Sequence, residues 1–87
     1  MPTREFTVTN KLGIHARPAA QFVKTASTFS CDIQVEKDDE HADGKSIMGL
    51  MMLAAGHGSV LTITTEGEDA DSAIEALGAL IARNFEV

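Results

Sequence analysis

Residues 60–83 read VLTITTEGEDADSAIEALGALIAR, and the change of period inside this stretch decides the fold. Val60 to Thr65 is β-branched and alternating, with Leu61 and Ile63 turned inward, the pattern of a half-buried strand. Gly67 breaks it. Glu68, Asp69 and Asp71 then cluster where a helix N-terminus favours negative charge, and Ala70, Ala73, Ile74, Leu77 and Ile81 follow at helical spacing, with Arg83 in the last turn. Towards the N-terminus, Ile47 to Ala55 is too uniformly apolar for alternation and reads as a short helix capped by Ser46 and stopped by Gly56 and Gly58. A short strand precedes Gly44, after a polar turn over residues 37–41. Ile33 and Val35 alternate with Asp32, Gln34 and Glu36 in another strand. Ala19, Phe22, Val23 and Ala26 mark one face of a helix that Pro18 opens at its first position. Asn10 to His15 is a loop, and Phe6 and Val8 belong to a first strand ending at Asn10. The order βαββαβα, with one apolar face per strand, predicts an α+β open-faced sandwich: a single domain over residues 1–87, with a four-stranded, mainly antiparallel sheet and three helices on one face.

The chain has 87 residues, 44% hydrophobic and 23% charged, too apolar for disorder and without a run long enough to cross a bilayer. A net charge of −6 with neither Trp nor Tyr argues against a general nucleic-acid binder. The charge is uneven. Residues 1–30 hold Arg4, Lys11, Arg17 and Lys24 against the single acid Glu5, whereas residues 31–87 hold three basic and twelve acidic residues. A cationic island on an acidic protein fits a small anion or an acidic partner.

Cys31 is the single cysteine, so no intramolecular disulfide forms and a reducing compartment fits. We read Cys31 as a small core residue. The opening Met-Pro-Thr-Arg-Glu-Phe lacks the apolar core of a secretory signal, and we expect a cytoplasmic protein without membrane insertion.

Chemistry concentrates in Gly13-Ile-His-Ala-Arg-Pro18, where a loop delivers an imidazole to the start of a helix. The first-turn amides have no intrahelical acceptors and favour an anion. Arg17 adds a planar cation suited to phosphoryl oxygens, and His15 is a nitrogen nucleophile near neutral pH. Two readings follow from the residues: covalent catalysis, in which His15 receives a phosphoryl group that Arg17 steadies, or a solvent-exposed histidine beside an arginine. The chain has no glycine-rich nucleotide loop, so if His15 is phosphorylated the donor comes from outside this domain, and we expect it to be another protein. His41 and His57 lack partners at ligand spacing, and the Asp38, Asp39, Glu40 run reads as a solvated turn. We therefore expect no metal and no cofactor.

Asn10-Lys-Leu-Gly-Ile-His-Ala-Arg-Pro-Ala-Ala20 resembles the active-site signature of the histidine-containing phosphocarrier (HPr) family of the bacterial phosphoenolpyruvate-dependent phosphotransferase system. Lys45-Ser-Ile-Met-Gly-Leu50 resembles the second signature of that family, around a regulatory serine. The resemblance implies that His15 is phosphorylated at Nδ1 by enzyme I and passes the group to enzyme IIA domains. It implies that Arg17 accompanies the phosphoryl group, and that Ser46 is the target of an ATP-dependent HPr kinase/phosphorylase. Such a protein is a shuttle that borrows its catalysis from the proteins it visits, and we expect a monomer.

The helix from Ile47 is apolar on every side, yet so small a domain cannot bury a helix all round. Leu50 and Leu53 are the core candidates. Ile47, Met48, Met51 and Met52 are then left as an exposed, adaptable patch for partner proteins.

Rival readings differ at named positions. The stretch from Leu50 to Ala54 and the ending Arg83-Asn-Phe-Glu-Val87 look like the nitrogen-related regulatory branch of the family, whereas the Lys45 to Met48 signature points to members under serine-kinase control. Outside the family, a small regulatory module holding an anionic metabolite would use Arg17 and the helix terminus without requiring His15. A purely structural interaction domain would account for the methionines but not for the loop.

Overall fold

The computed structural model describes residues 2–9, 16–53, 56–83 and 85. The elements run β1 (Thr3–Thr7), α1 (Ala16–Ala26), β2 (Asp32–Lys37), β3 (Glu40–Asp43), α2 (Ile47–Met52), β4 (Val60–Glu66) and α3 (Ala70–Ala82). All pairings are antiparallel, in the order β1-β4-β2-β3. The predicted order and the open-faced sheet are observed.

The centre of the sheet is β2 against β4, where Val35 faces Ile63 and Ile33 faces Thr65. Alternation sends Ile33, Val35, Leu61, Ile63 and Thr65 to the helical side and Asp32, Gln34, Thr62, Thr64 and Glu66 to the opposite side. Phe22 of α1, Leu50 of α2 and Ile74 and Leu77 of α3 are buried with them in one core. Each such side chain contributes about 1.5–3 kcal/mol by leaving water. Thr65, the one polar residue in this layer, donates its hydroxyl to the Ala70 carbonyl at 2.8 Å, so its burial leaves no unpaired group.

Several boundaries move. The first strand ends at Thr7 rather than Asn10: Val8 is fully buried, but its backbone leaves the β4 ladder and pairs with Ser59 O and Gly58 N, each at 2.8 Å. α1 starts at Ala16, which makes Pro18 its third residue and not its first. The missing amide costs nothing there, because first-turn amides lack helical acceptors anyway. The polar turn over residues 37–41 shrinks to Asp38-Asp39, with Asp38 at φ 55, a conformation that aspartate tolerates. α2 is shorter than its apolar run and closes at Leu53, ahead of the two glycines. Arg83 caps α3 instead of filling its last turn. Phe85, unassigned by periodicity, is buried, with φ 64 and its amide on Leu80 O at 2.9 Å.

Asp69 occupies the N-cap position of α3 but makes no side-chain cap bond. Its carboxylate crosses to the α1–β2 turn, accepting the amides of Ser30 at 2.8 Å and Cys31 at 2.9 Å. Donation from Ser30, then from Cys31, holds the Asp69 carboxyl below its ordinary pKa. Cys31 is buried, as expected of a core residue; burial and then Asp69 push its thiol up, away from the reactive thiolate. Gly67 runs against this turn at φ 142, and a Cβ there would lie 2.8 Å from Cys31 Cβ and 2.9 Å from its Cα.

Gly67→Ala combines a disfavoured backbone angle with a clash against main chain, and should lower stability by roughly 1–3 kcal/mol in urea unfolding. Asp69 has a second, pH-dependent signature. Its folded pKa lies below its unfolded value, so its contribution is complete above the unfolded pKa and is lost as the pH falls through the folded one. Asp69→Asn should melt earlier than the parent at pH 7, and thermal scans should show the two converging as the pH falls below the ordinary carboxylate range and through the lowered folded pKa.

Candidate functional site

His15 and the rest of the 10–15 loop lie outside the described residues, so the site is built from what adjoins it in the chain. Arg17 is in the first turn of α1 and exposed. Residues 17, 20 and 24 share the exposed face of the helix, opposite the buried Ala19, Phe22 and Ala26. Arg17 and Lys24 are therefore both presented to solvent from one side of α1.

α1 packs on α2, and α2 sits over β3. Leu50 and Leu53 enter the core at 0% and 2% exposure. Met48 and Met52 are 75% and 76% exposed, with Ile47 and Met51 at 42% and 43%. Four large apolar side chains thus face water from one short helix, next to a helix that carries cations. Exposed apolar side chains grouped in this way are a feature of interaction surfaces.

Ser46 is the N-cap of α2, with φ −120 and ψ 115, and its Oγ accepts the Gly49 amide at 3.0 Å. The turn leading to it is tied at every residue. Gly44 N donates to Ile33 O at 2.8 Å, Lys45 N to Asp43 Oδ1 at 2.9 Å, and Ser46 N to Asp43 O at 3.0 Å. Lys45 Nζ reaches the Phe29 carbonyl at 2.8 Å. The same turn that Asp69 clamps through Ser30 and Cys31 is thereby joined to the residue before Ser46. Sequence periodicity carries no trace of the Lys45–Phe29 and Asp69–Ser30 ties, whose partners are 16 and 39 residues apart; the Asp43-Gly44-Lys45 run ahead of a serine cap was the available signal.

On the far side of the sheet, Asp32, Gln34, Asp43, Thr64 and Glu66 line a shallow hollow of about 380 Å³. Three carboxylates and no cation make it unsuited to an anionic group. Among the described residues no group of three or more His, Cys, Asp or Glu is placed to hold a metal. None of their helices is long and apolar enough to cross a membrane.

Comparison with known proteins agrees with the sequence resemblance. Residues 2–83 match the family model described as "PTS HPr component phosphorylation site". The phosphocarrier protein HPr of Pseudomonas aeruginosa is 51% identical over 87 residues, covering 99% of this chain and 97% of that one. Among solved structures, an HPr from Thermoanaerobacter tengcongensis superposes with a TM-score of 0.95 at 47% identity, with both chains fully covered. A second structure from that organism, an HPr dimer, gives 0.79 at 49% identity over 94% of each chain. On this evidence of sequence and fold together, the chain belongs to the HPr family of phosphocarrier proteins of the phosphotransferase system.

Proposed function

We propose that the protein carries a phosphoryl group on His15, taken from phospho-enzyme I and delivered to enzyme IIA domains in the cytoplasm. Family membership through a phosphorylation-site model spanning residues 2–83 carries this reading. In the loading step the Nδ1 lone pair of His15 forms a bond to phosphorus as the bond from phosphorus to the donor breaks, the electron pair leaving with the donor. Delivery is the same exchange in reverse: a nucleophile of the acceptor bonds to phosphorus as the bond to Nδ1 breaks, the electron pair returning to His15. Arg17, exposed in the first turn of α1, supplies the cation that meets the phosphoryl oxygens. The exposed Ile47, Met48, Met51 and Met52 form the surface on which donor and acceptor dock in turn, methionine side chains adapting to two different partners. One small surface used by successive partners suits a monomer, although the HPr dimer noted above shows that a relative has been crystallised in a paired state.

Ser46 adds regulation. An ATP-dependent kinase would place up to two negative charges beside the methionine patch, where they would repel acidic partner surfaces.

The carrier reading is tested by incubating the protein with phosphoenolpyruvate and enzyme I. An acid-labile, base-stable phosphoryl group should appear on the parent chain and be absent from His15→Ala. A parent chain that takes up no phosphate would instead favour a module that holds an anion without covalent chemistry. For Ser46, aspartate also caps a helix, so Ser46→Asp should keep the fold while slowing transfer from enzyme I roughly tenfold, equivalent to about 1.4 kcal/mol of docking energy. A transfer rate equal to the parent's would sink the electrostatic account.

A further inference from the structure

Gly49 is the third residue of α2, a helix of six residues. Glycine inside a helix is disfavoured relative to alanine, so its presence in so short a helix calls for a reason. A Cβ at this position would lie 3.3 Å from Ser46 Oγ, 3.4 Å from Ser46 Cβ and 3.3 Å from Ala42 Cβ. These contacts are tight, so the bare hydroxyl and the methyl group would each have to give by a few tenths of an ångström. A phosphoryl group needs more room. Its phosphorus is bonded to the same Oγ and carries three further oxygens, which sweep past residue 49 on rotation about the Cβ–Oγ bond of Ser46. That Oγ accepts the Gly49 amide at 3.0 Å, which draws the serine side chain towards residue 49.

We infer that the bare Cα of Gly49 is what admits a phosphoryl group at Ser46, making Gly49 a positioning residue for that modification. The inference rests on the Ser46 reading given above. In the modification, Ser46 Oγ bonds to the γ-phosphorus of ATP, the bond from that phosphorus to the ADP oxygen breaks, and the hydroxyl proton passes to a base on the kinase. A side chain at residue 49 acts on the product of this step by crowding it. Close packing of α2 on Ala42 is the competing explanation, and it applies equally whether or not Ser46 is modified.

Four full-length chains separate the two: serine or phosphoserine at position 46, introduced by peptide ligation, each with Gly49 or with Gly49→Ala. In the unmodified pair the substitution should move the melting midpoint by no more than about 3 °C, which also establishes that Gly49→Ala folds. In the phosphoserine pair it should lower the midpoint by at least about 5 °C more than that. Equal shifts in the two pairs would overturn the inference and leave packing on Ala42 as the role of the glycine. Because this comparison needs no kinase, it is decided separately from the regulatory reading, which would fail if Ser46 of the parent chain took no phosphate from labelled ATP in an extract of the source cells.

Discussion

Ile33 and Val35 of β2 lie beside Leu61 and Ile63 of β4, and the rest of the molecule is arranged to keep that central patch dry. A strand with one apolar face can bury it only against another layer, and here the layer is helical on one side alone. Phe22, Leu50, Ile74 and Leu77 come from three different helices to cover it. In a chain of 87 residues that task consumes most of the large apolar side chains. What remains exposed is consequently informative: four large apolar residues on α2 are left facing water while Leu50 and Leu53 of the same helix do the covering.

The polar ties are secondary to this core but determine how α2 is delivered to the surface. Asp69 holds the turn at Ser30 and Cys31, Lys45 takes the Phe29 carbonyl from the same turn, and Ser46 follows directly as the cap. One carboxylate at the start of α3 is therefore connected through main chain and one ammonium to the serine at the start of α2. A turn with its amides and carbonyl satisfied in this way has little freedom, which fixes the direction in which α2 leaves the sheet.

How much of this was legible follows from the range of each interaction. α3 and the inward faces of β2 and β4 were readable because burial there repeats at 3.6 or 2 residues. The end of β1 was misplaced because Val8 keeps the alternation of burial after its backbone has left the ladder; periodicity reports burial and not pairing. The reach of Asp69 to Ser30, and the burial of Phe85, depend on which segments tertiary folding brings together, and no local pattern encodes that. At the candidate site, the composition of residues 13–18 pointed to phosphoryl chemistry without any geometry. The exposure of the methionines followed from a volume argument: a small domain cannot bury a helix on every side.

The exposure of Arg17 bears on what a carrier requires. A group that must be both accepted and surrendered is best held weakly, since every 1.4 kcal/mol of preference for the loaded form makes delivery tenfold less favourable. Two unit charges about 4 Å apart in bulk water attract by only about 1 kcal/mol, against several times that at the lower effective dielectric of a partly buried pair. Arg17 stands in solvent at the first turn of α1, so on the carrier reading proposed above its attraction for a phosphoryl group would be screened accordingly. On the proposed reading, a partner seated on the α2 patch that also excluded water from the first turn of α1 would let the same guanidinium act through a lower dielectric and strengthen its attraction. On that reading the cation would count most while a partner is bound, during the exchange itself, and least between encounters, which would keep the loaded carrier from becoming a trap.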